Sequence, residues 1–484
     1  MSDHVDVLIV GAGLSGIGAA AHLVRGRPGT SYAIVESREA SGGTWDLFRY
    51  PGVRSDSDMY TLGYRFKPWV DDRALADGES ILSYVRETAR EYGIDEHIRY
   101  QHKVVHAAWD SATRRWTVTA ETPEGTREIT ADFLWNCSGY YNYDEGFTPV
   151  FAGRDDFAGE ILHPQHWPAD FSPVHEDGRP KRVVVIGSGA TAVTLVPALA
   201  REGAQVTMLQ RSPTYVLSLP AVDAFANQAR KRLPAKAAYS LTRWKNIGVA
   251  TGIYQFSQRF PKAARKFIRA ENAKLLPEGY DVDRHFRPHY DPWDQRLCLV
   301  PDADLFEEIS AGRAEIVTDT IERFTETGLR LASGRELEAD VIVTATGLNL
   351  KIFGGATLSV DGEQLNPRDL MAYRAMMLSG VPNFVFTIGY TNASWTLKAD
   401  LVAEYVVRLL TFMEESGRRV VTPVADASVG REPLLDFEAG YVMRSIDELP
   451  HQGDREPWKL RQNYLKDVRT IRKAPIDDGV LEFR

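Results

Sequence analysis

Val5-Asp6-Val7-Leu8-Ile9-Val10-Gly11-Ala12-Gly13-Leu14-Ser15-Gly16 is an apolar run, broken only by Asp6, that leads directly into G-x-G-x-x-G. The glycine spacing says little by itself, but here a strand pattern precedes it and a helical pattern follows. In that setting Gly11 permits a tight turn and Gly13 lets backbone N–H groups approach a pyrophosphate. Gly16 allows close helix–strand packing, and the helix N terminus adds positive potential. The next strand, Tyr32-Ala33-Ile34-Val35, ends in Glu36. A carboxylate there accepts hydrogen bonds from both ribose hydroxyls of an unphosphorylated adenosine, so the first turn reads as an FAD site. Ser15 adds a hydroxyl inside the phosphate turn.

A second copy begins at Arg182-Val183-Val184-Val185-Ile186 and continues through Gly187-Ser188-Gly189-Ala190-Thr191-Ala192 into Val193. Its following strand, Val206 to Leu209, ends in Gln210-Arg211-Ser212 and has no carboxylate. A carboxylate would repel a 2′-phosphate, whereas a guanidinium and a hydroxyl bind it. One charge-assisted hydrogen bond contributes about 1.5–3 kcal/mol, roughly a tenfold to hundredfold preference for NADPH. Between the two copies lies Gly42-Gly43-Thr44-Trp45-Asp46-Leu47-Phe48-Arg49-Tyr50-Pro51-Gly52-Val53-Arg54-Ser55-Asp56. Its Gly, Pro and aromatic content predicts a long ordered loop, of the kind that is usually functional. Its glycines suit backbone that follows a pyrophosphate and ribityl chain, and its later Arg and Asp suit a nicotinamide.

The fold class expected is α/β, with two Rossmann-like dinucleotide-binding domains and a helical insertion in the second. A chain of 484 residues accommodates two or three domains. The boundaries read as a first FAD-binding part at 1–145, an NADPH-binding domain at 146–325, and a return to the first domain at 326–484. The return is placed there because Val341 to Thr344, running into Ala345-Thr346-Gly347, needs a parallel sheet to join. The insert spans about 217–290. Between Gln228 and Lys274 it carries twelve Lys or Arg against one acid, Glu271, with Trp244, Tyr254, Phe256, Phe260 and Phe267 interleaved. It reads either as a solvated helical cap over the second domain or as a lid resting on anionic lipid.

Net charge of −9 argues against nucleic-acid binding. Cys137 and Cys298 are too few and too far apart for a disulfide framework, a zinc cluster or a redox pair, and a reducing cytoplasm is expected. Val5 to Val24 has the length of a membrane span, but Asp6 and the glycines argue for strand and helix instead.

Phe157-Ala158-Gly159-Glu160-Ile161-Leu162-His163-Pro164-Gln165-His166-Trp167-Pro168 fits F-x-G-x-x-x-H-x-x-x-W-P, and the 42–56 loop fits G-G-x-W-x-x-x-x-Y-P-G-x-x-x-D. Both are signatures of the type I Baeyer–Villiger monooxygenases, which the chain resembles over essentially its whole length. The resemblance implies Arg296 as the active-site arginine and Asp56 as the group that orients it. It implies FAD contacts at Thr44, Trp45, Asp46, Leu47, Asp56 and Val104. NADP contacts are implied at Arg54, Ser55, Asp56, at Gly187 to Val193, and at Arg211 and Ser212. His163 falls in what the family uses as an interdomain linker. Gln295 departs from relatives that carry a lysine beside the arginine, which weakens the strength of the NADPH preference and leaves its direction.

The activity so implied is oxygen insertion beside a ketone carbonyl to give an ester or lactone, through a C4a-peroxyflavin, with O2 and a small lipophilic ketone as reactants. Arg296 stays charged at any working pH and would keep the oxidant anionic. The protonated oxidant would oxygenate a sulfide or thioamide instead. A flavin N- or S-monooxygenase is the alternative, although its fingerprint lacks the terminal Trp167-Pro168.

Overall fold

A computed structural model of the chain describes residues 3–295, 297–435 and 440–484. Two sheets organise it. In the first, His4–Val10 lies between Tyr32–Val35 and Gly125–Asn136, parallel to both, and Ile98–Arg99 continues the parallel edge. The strand Gly125–Asn136 divides its pairing. Its first half closes an antiparallel meander with Arg115–Thr122 and Lys103–Asp110, while Leu134–Asn136 takes Phe384–Phe386 in parallel. Thr357–Val360 and Glu363–Leu365 extend the far edge. The buried strands are rich in Val, Ile and Leu, as strands covered on both faces must be.

The second sheet has the order Ala314–Thr318, Gln205–Gln210, Arg182–Ile186, Val341–Thr344, Glu160–Leu162, all parallel. This corrects the expectation for Val341–Thr344, which joins the second sheet rather than the first. The physical reason is a repeated requirement. In the first sheet Phe133–Asn136 and Cys137-Ser138-Gly139 already occupy the position beside the glycine turn. Ala345-Thr346-Gly347 does the same job in the second: a Cβ at Gly11 would stand 2.8 Å from the Cys137 carbonyl oxygen, and one at Gly187 would stand 2.3 Å from that of Ala345. Each turn therefore needs both its glycine and a flanking strand end. The chain returns to the first sheet only at Thr357–Val360, later than residue 326.

The insert is helical as expected, at Ala224–Arg232, Ala235–Arg259 and Pro261–Leu275. It stands between Tyr215–Leu219 and Leu297–Pro301, which pair in parallel. Its long helix does not simply cap the second domain. Buried Arg243 donates from Nη1 to the Tyr60 and Gly63 carbonyls, each at 2.7 Å, and from Nη2 to Asp400 at 3.2 Å. Asp400 also meets His22 Nε2 at 3.1 Å and accepts from the Arg65 backbone N–H. These partners belong to helices and loops packed on the first sheet, so the insert spans both halves. No helix among the described residues is long and apolar enough to cross a membrane, and the nearly uncharged segment Val5 to Val24 is divided between the strand His4–Val10 and the helix Leu14–Gly26.

Candidate active site

A cavity of about 380 Å³ opens where the two halves meet, a volume in the range of small-molecule and cofactor sites. The first glycine turn forms one wall through Gly11, Gly13 and Ser15, and Glu36 and Val104 lie along the same side. Glu36 is held by the turn it serves: Oε2 accepts from the Ala12 N–H at 2.7 Å and Oε1 from the Arg38 N–H at 3.0 Å. The carboxylate is thus fixed in orientation and retains acceptor capacity toward the cavity. Gly16 lies behind this wall, where a Cβ would collide with the Gly11 carbonyl oxygen at 1.8 Å.

The expected ordered loop is present and supplies a second wall. Gly42 and Gly43 take φ of 122° and 55° and turn the chain into a short helix, Thr44–Leu47. Thr44, Trp45, Tyr50, Arg54, Ser55 and Asp56 line the cavity. Asp46 and Leu47 do not. The Asp46 carboxylate is buried among Arg38 at 2.5 Å, Arg86 at 2.7 Å and Arg49 at 3.5 Å; those guanidiniums outweigh its burial and hold its pKa below the usual value. Asp46 ties the loop to the helix behind it.

The second half contributes Ala190, Thr191 and Thr194 to the same cavity, from the start of the helix Ala190–Arg201. Neither this helix nor Leu14–Gly26 has a side chain capping its N terminus. Their first N–H groups therefore remain for a ligand, which fits two pyrophosphates. Gly187, Ser188, Gly189, Ala192 and Val193 lie outside the cavity wall. Ser188 sits beside the end of Gln205–Gln210, its hydroxyl donating to the Ser212 carbonyl at 3.2 Å, and Arg211 and Ser212 are exposed at that corner. Gly189 has open space around it. Arg296 lies outside the described residues.

Further residues stand in or beside this wall. Tyr50 is buried and Tyr143 half-buried, and desolvation pushes each phenol up to about 12 against the bonds with Thr191 and Thr44. Both hydroxyls are therefore protonated donors at neutral pH. Burial likewise pushes the Cys137 thiol to about 12, and neither cysteine forms a disulfide. Asp304 reaches in from the second half and pairs with Arg54 at 2.5 Å, with a second contact at 3.4 Å. His163 does not line the cavity. Its Nδ1 accepts from the Gln165 N–H, and burial lowers its pKa.

Two dinucleotide folds sharing one cavity define a class, the two-nucleotide flavoproteins. Residues 64–228 match the flavin-binding monooxygenase-like family and residues 9–68 the NAD(P)-binding Rossmann-like domain. The chain is 58% identical over 485 residues to the FAD-containing monooxygenase EthA of Mycobacterium tuberculosis, covering 100% of this chain and 98% of that one. It is 48% identical over 487 residues to the probable FAD-binding monooxygenase AlmA of Acinetobacter baylyi, covering 100% and 97%. In fold it is similar to an oxidized steroid monooxygenase bound to NADP, with TM-score 0.77, 23% identity and 99% of each chain covered. It is also similar to a cyclohexanone monooxygenase bound to ε-caprolactone, with TM-score 0.76, 21% identity and 100% of each chain covered. The chain belongs to the FAD-containing monooxygenases.

Proposed function

We propose that this protein uses FAD, NADPH and O2 to insert oxygen beside the carbonyl of a small lipophilic ketone, giving an ester or lactone, and that it also oxygenates sulfides and thioamides. The observation that carries this is the single cavity walled by both glycine folds, which lets a flavin and a nicotinamide meet. Gly11 to Ser15 and Glu36 bind the FAD pyrophosphate and ribose. Gly187 to Val193 bind the NADPH pyrophosphate, and Arg211 with Ser212 takes its 2′-phosphate. Arg54, steadied by Asp304, and Ser55 and Asp56 face the nicotinamide. When bound, FAD supplies the reduction by NADPH and the activation of O2. Arg296, oriented by Asp56, then provides a permanently charged donor to the ketone carbonyl oxygen as negative charge gathers there. Aromatic residues such as Tyr140, Tyr141 and Phe353 exclude water from the same space. Product analysis with NADPH consumption tests the reading: ester from ketone supports it. NADPH-dependent sulfoxide from sulfide, with no ester from a broad ketone panel, leaves only the S-oxygenation.

A second part of the reading concerns where the enzyme works. Leu241, Val249, Ile253, Phe256 and Phe260 follow one another along one side of the long insert helix and its C-terminal cap, and all are exposed. Phe267 on the next helix is 56% exposed. Arg259, Lys262 and Lys266 surround this stripe without an ion pair among the described residues, in a chain whose net charge is −9. An apolar stripe within a local positive excess suits the surface of an anionic bilayer, and the insert is proposed to rest there. Co-sedimentation with phosphatidylglycerol vesicles but not with phosphatidylcholine ones is expected at low salt. Concentration-dependent dimerisation without vesicle binding would assign the stripe to a second copy instead.

A further inference from the structure

Ser15 stands in the first turn of Leu14–Gly26, and its hydroxyl oxygen accepts a 2.7 Å hydrogen bond from the indole N–H of Trp395, 380 residues away in sequence. An indole nitrogen donates and never accepts, so this contact uses a lone pair of Ser15 and leaves the serine proton to another acceptor. A serine inside a helix can turn that proton back to the carbonyl four residues earlier. Here that carbonyl belongs to Gly11, and Ser15 makes no such donation among the described residues. Both side chains line the cavity.

The indole is itself held in place. Trp395 opens the helix Trp395–Glu415 and packs against Tyr140 with ring centroids 5.1 Å apart. Gly389 makes room for it: a Cβ there would come within 2.4 Å of the indole ring. A residue from the C-terminal part of the chain therefore sets the rotation of a hydroxyl in the first glycine turn.

We infer that Trp395 is a positioning residue for FAD, fixing the Ser15 hydroxyl so that its O–H donates to a pyrophosphate oxygen. The inference rests on the reading that the first glycine turn takes FAD. Without the indole donor the hydroxyl is free to rotate, and the phosphate loses an oriented partner.

Trp395→Phe tests this, because it keeps an aromatic ring on the Tyr140 side while removing the donor, and the lost ring volume is separated from the lost donor by the double variant below. Flavin-free protein would be titrated with FAD and followed by flavin fluorescence, with the thermal midpoint of the flavin-free form as a fold check. The dissociation constant for FAD is expected to rise about three- to tenfold, the effect of losing one oriented hydrogen bond. Ser15→Ala should raise it at least as much, and the double variant should be no worse than Ser15→Ala alone. Gly389→Ala should reproduce the Trp395→Phe defect by displacing the indole. A packing role alone would make the two single effects add. An unchanged FAD affinity in Trp395→Phe, or additive losses in the double variant, overturns the inference while leaving the FAD site in place. Wild-type protein that binds no FAD overturns both.

Discussion

Asp304→Ala isolates the contact that joins the two halves at the cavity wall. The Asp304 side chain is 4% exposed and that of Arg54 13%. Two N–H groups of the guanidinium reach the carboxylate, which also accepts from the Leu305 N–H at 2.7 Å. Burial is the largest influence on Asp304 and pushes its pKa up in spite of Arg54. Desolvation therefore exceeds the attraction within the pair. Removing the acid alone strands a nearly buried guanidinium, which costs about 3–5 kcal/mol. Unfolding entropy of about 2.1 cal/mol/K per residue over 484 residues amounts to roughly 1 kcal/mol/K, so the midpoint should fall by about 3–5 °C. Arg54→Met with Asp304→Leu removes both charges and should recover most of that loss. NADPH affinity should fall in both variants, because Arg54 is displaced in one and absent in the other. The pH dependence has a defined sign. Because the folded pKa is raised, Asp304 contributes most stability below its unfolded value near 4 and loses it as pH rises through the folded value. Asp304→Asn should lack that slope. Thermal unfolding between pH 4 and 7, read by flavin fluorescence, measures all three. A double variant as unstable as Asp304→Ala would refute the reasoning, since the pair would then be favourable in itself.

Arg211→Ala should raise KM for NADPH about tenfold to hundredfold and leave that for NADH nearly unchanged; equal effects on both coenzymes would show that Arg211 does not read the 2′-phosphate. Gly16→Ala and Gly189→Ala should diverge: the first drives a Cβ into the Gly11 carbonyl and should yield protein that is unfolded or free of flavin. The second meets open space and should keep its thermal midpoint while weakening NADPH binding. Asp340 is bonded to Arg182, whose guanidinium and backbone N–H hold the carboxyl well below its usual range. Its stabilising contribution is present above the unfolded pKa and lost as pH falls, so the deficit of Asp340→Asn at pH 7 should shrink below about pH 4. Arg296→Ala should stay yellow and be reduced by NADPH yet form no ester; ester formation near the wild-type rate would remove Arg296 from the mechanism.

Both glycine turns were legible because a phosphate turn is encoded locally. Strand, glycine spacing and helix follow within a dozen residues, and Gly11, Gly16 and Gly187 each have a steric reason visible in the structure. Glu36 and the corner of Arg211 and Ser212 were legible for the same reason, as each ends the strand next in sequence. The 42–56 loop announced itself by composition. The assignment of Val341–Thr344 failed because a parallel strand records only that it is buried on both faces, not which sheet buries it. Two sheets were available, and an apolar run suits either one.

The contacts that escaped the sequence share one property: each joins segments far apart in the chain. Ser15 meets Trp395, Arg54 meets Asp304, and Arg243 meets Asp400, at separations of 380, 250 and 157 residues. A single arginine or tryptophan on a helix gives no local sign of its distant partner. Arg54–Asp304 ties the first half to the second and Arg243–Asp400 ties it to the insert, whereas Ser15–Trp395 lies within the first half. Arg243 is the clearest case. Its carbonyl partners Tyr60 and Gly63 flank Leu62, which lines the cavity, so the insert that carries the exposed apolar stripe also braces the wall behind the candidate active site. The helix that presents the exposed apolar stripe therefore also grips the wall segment 58–64 through Arg243, Tyr239 and Asn246.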